Sequence, residues 1–145
     1  MRKVANWLVL SVVLTLAALP GCRGASAANV SLGQEFSLAI GQSAAIESEG
    51  LTLKFVRVVG DSRCPEGVEC FWQGEVSCEV SVTYSGSSYQ MVLTQPGLTS
   101  EPASKTFQQF RFTFSVDPYP QKGKKIDSSD YRLNLTVEKI EPETG

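Results

Sequence analysis

Residues 70–84 read Cys-Phe-Trp-Gln-Gly-Glu-Val-Ser-Cys-Glu-Val-Ser-Val-Thr-Tyr. From Cys70 onward every second residue is apolar or small, and the residues between them are mostly polar. Alternation with a period of two is typical of a β-strand that has one buried and one wet face. We therefore predict one long strand over residues 70–84, with Cys70, Trp72 and Cys78 pointing into the core.

Other short segments on both sides of this stretch alternate in the same way and are separated by turn residues. They are residues 36–40, 44–47, 51–59, a strand around 91–93, 110–116 and 131–137. No part of the chain after residue 21 shows a helical period. About seven such strands predict an all-β domain over residues 35–141, a single antiparallel β-sandwich of immunoglobulin-like general shape. A small β-barrel is the alternative.

The first 21 residues have the organisation of an export signal. Arg2 and Lys3 precede an apolar run over residues 4–19, and Pro20 ends that run. The run is shorter than the roughly 20 apolar residues that a membrane-spanning helix needs. Residues 1–21 are therefore predicted to be a cleaved secretory signal peptide.

The end of this signal, Leu19-Pro20-Gly21-Cys22, resembles the bacterial lipobox. That resemblance implies that Cys22 carries lipid and becomes the first residue of the mature chain. Two or more acyl chains give stable membrane attachment, whereas one does not. We expect a protein attached to the cell membrane or outer membrane and facing the periplasm or exterior, with residues 22–34 as a lipidated flexible tether.

The remaining cysteines, Cys64, Cys70 and Cys78, are expected to lie outside the cytosol, where disulfides persist. Cys64 and Cys70 flank a short turn that contains Pro65 and Gly67, so we predict a bridge between them. Closing so small a loop stabilises the fold by about 2.4 kcal/mol in the chain-entropy description. Cys78 is predicted to be a buried, reduced thiol that packs as a small apolar residue.

Composition narrows the functional classes. The mature chain keeps 11 of the 13 basic residues and all 15 acidic ones, a net charge of −4, and the sequence contains no histidine. A basic footprint for nucleic acid is absent, and so is the commonest general base and metal ligand. The gaps of five and seven residues between the inner cysteines do not match zinc or redox motifs. We expect no metal, no cofactor and no enzymatic activity.

Asp61-Ser62-Arg63-Cys64-Pro65, a four-residue gap, then Cys70 and the Trp72-Gln73-Gly74 triplet form the most unusual segment. It resembles a motif of small secreted or lipid-anchored bacterial proteins of uncharacterised function. The resemblance spans residues 44–84, with a weaker echo at 131–140. It implies the location and the fold, and it adds no mechanism.

The favoured function is an extracytoplasmic binding or structural module, because a disulfide-closed loop on a rigid sheet is a common place for recognition. Its partner would be an envelope protein or ligand. The candidate recognition residues share this loop: Asp61, Arg63, Glu66, Glu69 and Phe71. The alternative is a protease inhibitor that uses the 61–70 loop.

The least favoured hypothesis is a hydrolase that uses two carboxylates from the set Asp61, Glu66, Glu69 and Asp130. No motif in the sequence places two of them together. The basic residues 122–125 and the acidic turn 127–130 are interpreted as solvated loops. Neither carries a predicted role.

Overall fold

The computed structural model of the chain describes residues 26–97 and 101–141. The predicted signal peptide, the predicted lipobox and Cys22 lie outside these residues. The described part consists of strands and two short 3-10 turns at Glu47–Glu49 and Ser128–Asp130. The strands are β1 (Ala28–Asn29), β2 (Glu35–Ala39), β3 (Ser43–Ile46), β4 (Leu51–Asp61), β5 (Glu75–Tyr84), β6 (Ser87–Pro96), β7 (Ala103–Phe107), β8 (Phe110–Asp117) and β9 (Arg132–Lys139).

These strands form two sheets that face each other. One has five strands in the order β1-β3-β4-β5-β6, and the other has four in the order β2-β9-β8-β7. All neighbouring pairs are antiparallel except β1 and β3, which are parallel. The sheets do not close on each other, so the predicted β-sandwich is confirmed and the β-barrel alternative is not.

The core lies between the sheets and is built from alternate residues of the long strands. On β5, Val76, Cys78, Val80 and Val82 are buried, as the alternation predicts. The opposite sheet contributes aromatic and aliphatic side chains, among them Phe110, Phe112, Phe114, Val116, Leu133, Leu135 and Val137. Burial of these two inward faces is the main stabilising contribution to the fold.

Two strands were not predicted from the sequence. β7 has the burial pattern of an edge strand, with its three central residues exposed, so it gives little hydrophobic signal. β1 falls inside the segment expected to be a flexible tether. Ala28 and Asn29 instead pair with β3, and the amide of Val30 donates a hydrogen bond to the carbonyl of Ala45 at 2.9 Å. Residues 28–30 are therefore attached to the five-stranded sheet.

The strand predicted over residues 70–84 begins only at Glu75. Gly74 has a φ of +67°, which is outside the extended region, so the chain turns there. Counting alternate residues across Gly74 assumes an unbroken strand, and that assumption fails. The predicted inward orientation of Cys70 and Trp72 is consequently wrong, whereas that of Cys78 is confirmed.

β4 contains two register irregularities, between Phe55 and Arg57 and between Val58 and Gly60. Each bulge shifts the alternation by one residue, and two of them restore it. Asp61 therefore pairs with the buried Val76 and points between the sheets. A carboxylate is thereby placed at the end of the core, where it needs a partner.

Candidate functional site

The candidate site is the connection between β4 and β5, residues 62–74, which we call the disulfide loop. It contains the predicted bridge: Cys64 and Cys70 are joined, with their Cα atoms 5.9 Å apart. Within the bridge the amide of Val68 donates to the carbonyl of Pro65 at 3.2 Å, which closes a tight turn. The loop is thus covalently and locally constrained.

Three apolar side chains of this loop face solvent, and we call them the aromatic tip: Val68, Phe71 and Trp72. Their exposed fractions are 40%, 108% and 73%. Phenylalanine and tryptophan are highly buried on average, because exposing their large apolar surface to water is costly. Two adjacent exposed rings on a constrained loop are therefore a functional signal.

The base of the disulfide loop continues the β4–β5 ladder. The amide of Ser62 donates to the carbonyl of Glu75 at 2.8 Å, and the amide of Cys64 donates to that of Gln73 at 3.0 Å. Gly74 packs directly against this ladder, and a Cβ atom there would overlap the carbonyl oxygen of Ser62. Only glycine fits this position. The glycine of the Trp72-Gln73-Gly74 triplet is therefore required by the loop, and the triplet is not part of the strand.

The disulfide loop is also attached to the connection between β8 and β9, residues 118–131, which we call the lysine loop. The amide of Glu66 donates to the carbonyl of Pro120 at 2.8 Å, and the amide of Lys122 donates to the carbonyl of Glu66 at 3.2 Å. In addition, the Tyr119 hydroxyl donates to the carbonyl of Cys64 at 2.9 Å. These bonds link the two sheets at this end of the sandwich.

Beneath the loop lies a buried ion pair. Arg63 donates from Nε and Nη2 to the two carboxylate oxygens of Asp61, at 2.9 and 2.6 Å. Their side chains are only 2% and 8% exposed. Arg63 also donates to the carbonyls of Val116 and Pro118 at 2.8 and 2.9 Å, and its guanidinium lies 5.1 Å from the centre of the Tyr119 ring. The planar fork of arginine suits this set of acceptors, and the ammonium of lysine does not.

The pKa of Asp61 reflects two opposing influences. Burial raises it, but the hydrogen bonds and positive charge of Arg63, helped by the Tyr131 hydroxyl, outweigh burial and hold the pKa below its ordinary value. Tyr131 donates to Asp61 Oδ2 at 3.1 Å, and burial together with this charge raises the pKa of Tyr131 to about 12. A carboxylate that is ionised at neutral pH and accepts hydrogen bonds at both oxygens fits a structural role better than proton transfer.

The Asp61–Arg63 ion pair helps to supply hydrogen-bond partners for the backbone at the end of β8. Val116 lies beyond the last β7–β8 pair, in which Ala103 faces Phe114. Its carbonyl accepts from Arg63, and its amide donates to Oε1 of the buried Gln95 at 2.9 Å. Both backbone groups are thereby satisfied from the opposite sheet, as buried backbone groups require.

Of the five residues predicted as a recognition loop, the structure exposes three and buries two. Glu66, Glu69 and Phe71 lie at the surface of the disulfide loop, while Asp61 and Arg63 form the buried pair. Asp61 and Arg63 therefore hold the loop in place and do not offer a binding surface. Trp72, which the sequence assigned to the core, takes their place as a candidate contact residue.

Cys78 is a free, fully buried cysteine on β5. Burial raises the pKa of its thiol to about 12, with the nearby charges of Arg63 and Asp61 acting in opposite directions. A thiol in this setting is inert because the reactive thiolate is strongly disfavoured.

Across residues 26–97 and 101–141, no three Cys, Asp or Glu side chains come together in a group that could hold a metal ion. Within the same residues, no helix has the length and apolar character needed to span a bilayer. The acidic turn 127–130 is exposed and ends in a 3-10 turn, and Lys125 lies 3.7 Å from Asp127. Lys122, Lys124 and Lys125 are also exposed, on the loop that the disulfide loop contacts.

Comparison of the chain with protein-family models, with curated proteins and with solved structures finds no match. The central feature of the candidate site is the aromatic tip.

Proposed function

We propose that the protein is a lipid-anchored envelope protein whose β-sandwich serves as a rigid, non-enzymatic docking module. The observation that carries this proposal is the aromatic tip: Phe71 and Trp72 are exposed on a loop that a disulfide, a glycine and two sets of backbone hydrogen bonds hold in one conformation. A few residues carry most of the binding energy of an interface, and tryptophan is enriched among them. A loop that is already ordered loses little entropy when it binds.

The anchor is supported by the sequence pattern of residues 1–22, which ends at Cys22. The domain would be held on the outer side of a cell membrane or in the outer membrane, with the tip as its contact surface. Replacing Cys22 with Ala should abolish membrane retention and leave the precursor unprocessed or released. Fractionation with radiolabelled palmitate measures both, and equal membrane association of the variant would contradict the anchor.

The docking role is tested by a photoreactive amino acid placed at position 71 of the full chain in its native envelope. We expect cross-linked adducts from position 71 because the tip is in contact with its partner. The matched control is position 59, where Val59 is 48% exposed on β4 without belonging to the tip. Equal yields of adduct from the two positions would contradict docking through the tip.

The protease-inhibitor alternative receives less support from the geometry. An inhibitory loop commonly pairs its extended backbone with the protease cleft. In the disulfide loop, however, the amide and carbonyl of Glu66 are both bonded to the lysine loop. Inhibition of serine or cysteine proteases at micromolar concentrations of the domain would favour the protease-inhibitor hypothesis over the docking module.

A further inference from the structure

The β-sandwich has two distinct ends. The disulfide loop and the lysine loop lie at the end where β4 finishes at Asp61 and β8 finishes at Asp117, and we call it the loop end. The opposite end carries the 3-10 turn Glu47–Glu49 and the tight turn between β5 and β6. The aromatic tip is therefore confined to one end of the domain.

The direction of β1 shows from which end of the domain the chain enters this strand. β1 runs parallel to β3, and β3 runs antiparallel to β4. Following the chain backward from Ala28 is therefore the same as moving along β4 towards Asp61. Ser26 and Ala27, the described residues before β1, therefore lie on the side of Ala28 that faces the loop end.

The length of this segment limits how far the domain can stand from the lipid. Ala28 pairs with Ala44, which pairs with Leu53. The eight residue steps from Leu53 to Asp61 span about 26 Å at the rise of a β-strand. The six steps from Cys22 to Ala28 span at most about 22 Å when fully extended. The segment that joins Cys22 to Ala28 is therefore shorter than the distance from the level of Ala28 to the loop end. If the loop end faces the bilayer, this segment is too short to hold the loop end clear of the membrane surface.

The chemistry of the aromatic tip matches the surface of a bilayer. Tryptophan and other amphipathic rings are enriched where the headgroups meet the acyl chains. Three exposed lysines, at 122, 124 and 125, lie on the adjoining loop, but Glu66 and Glu69 of the disulfide loop oppose their charge. Electrostatic attraction to anionic lipid is consequently small here, and the apolar side chains would supply the contact.

We propose that Phe71 and Trp72 insert into the surface of the same phospholipid bilayer that holds the lipid on Cys22, so that the domain is fixed at two points with its loop end against the membrane. This inference rests on the proposed anchor at Cys22 and names the partner of the tip. A single lipid attachment leaves a domain free to rotate, and a second apolar contact gives it one orientation.

The chain supplies its own reporter for this geometry. It contains two tryptophans, Trp7 and Trp72, and Trp7 lies within the predicted signal peptide. The mature protein, lipidated at Cys22, is reconstituted into phosphatidylcholine vesicles with bromine on the acyl chains. We expect the emission of Trp72 to move to shorter wavelength, to be quenched by the bromines and to be protected from acrylamide in water.

The matched control moves the reporter to the opposite end by combining Trp72→Phe with Ser48→Trp, since Ser48 is exposed in the 3-10 turn there. Its emission should stay accessible to acrylamide and unaffected by the bromines. Equal accessibility of the two reporters would overturn the inference. Quenching of Trp72 that requires anionic lipid and disappears at high salt would overturn insertion by the apolar side chains.

Two further outcomes separate this inference from the proposed function. Mass spectrometry of the N-terminal peptide shows whether Cys22 carries lipid, and an unmodified Cys22 would contradict the anchor itself. Shielding of Trp72 only after envelope proteins are added to the vesicles would preserve docking through the tip and overturn the bilayer as its partner.

Discussion

Replacing Arg63 with Met should destabilise the domain far more than the position of Arg63 in a surface loop suggests. The substitution removes four side-chain hydrogen bonds, two to Asp61 and one each to the carbonyls of Val116 and Pro118. It leaves the Asp61 carboxylate, 8% exposed, without its cation. Removing one partner of a buried pair typically costs about 3–5 kcal/mol of unfolding free energy, and we expect that range here.

The measurement is urea unfolding of the chain from residue 23, followed by far-UV circular dichroism, because exposed Trp72 is a poor probe of the core. Arg57→Met is the matched control. Arg57 pairs with Glu79 at 2.7 Å, but its side chain is 60% exposed, so its loss should cost no more than about 1 kcal/mol. Similar costs for the two variants would refute the argument that burial makes the Arg63 pair important.

The pH dependence tests the same reasoning. In the native protein the pKa of Asp61 is held below its ordinary value of 3.8, so the stabilisation is fully present above that pH and is lost as the pH falls through the folded-state pKa. In Arg63→Met, burial without the cation favours the protonated acid instead. The difference in stability between the two proteins should therefore narrow as the pH is lowered from 6 towards 3. A difference that is constant over this range would contradict the assignment to Asp61.

Three further predictions concern single residues. Gly74→Ala should lower the free energy of unfolding by about 2 kcal/mol or more, because it adds a clash with the Ser62 carbonyl to the penalty of a positive φ. Gly33→Ala, at φ +74° with open space around it, should lower it by only about 1 kcal/mol. Urea unfolding of the two variants measures the difference. Cys78 should react with a thiol label only after denaturation, and rapid labelling of the native protein at pH 8 would contradict its burial. Tyr131→Phe should lower stability by about 1 kcal/mol at neutral pH, since it removes one hydrogen bond to Asp61, and unchanged stability in thermal unfolding would show that this bond is not needed.

The sequence by itself predicted the parts of the protein that local patterns encode. Alternation of apolar residues placed most of the strands and led to the β-sandwich, because a sheet with one buried face must repeat every two residues. The five-residue gap between Cys64 and Cys70, with Pro65 and Gly67 inside it, was sufficient for the disulfide. The buried Cys78 also followed from alternation, since it lies within the unbroken part of β5.

Tertiary structure decided the parts that depend on distant residues. Arg63 looks like a surface charge in the sequence, and it is buried because the carbonyls of Val116 on β8 and of Pro118 just after it, more than fifty residues later, accept its hydrogen bonds. β7 carries little alternation of its own and exists because β8 offers it an edge. Pairing partners of this kind cannot be read from a short window of residues.

Trp72 shows most clearly why the prediction from the sequence differs from the tertiary structure. Its spacing to Val76 and Cys78 is the spacing of a strand, yet Gly74 takes a positive φ so that its backbone can pack against Ser62. That close approach between the two ends of the disulfide loop redirects the chain and turns the ring outward to 73% exposure. Periodicity is a local property that continues through a glycine, whereas the conformation of the glycine depends on what packs against it.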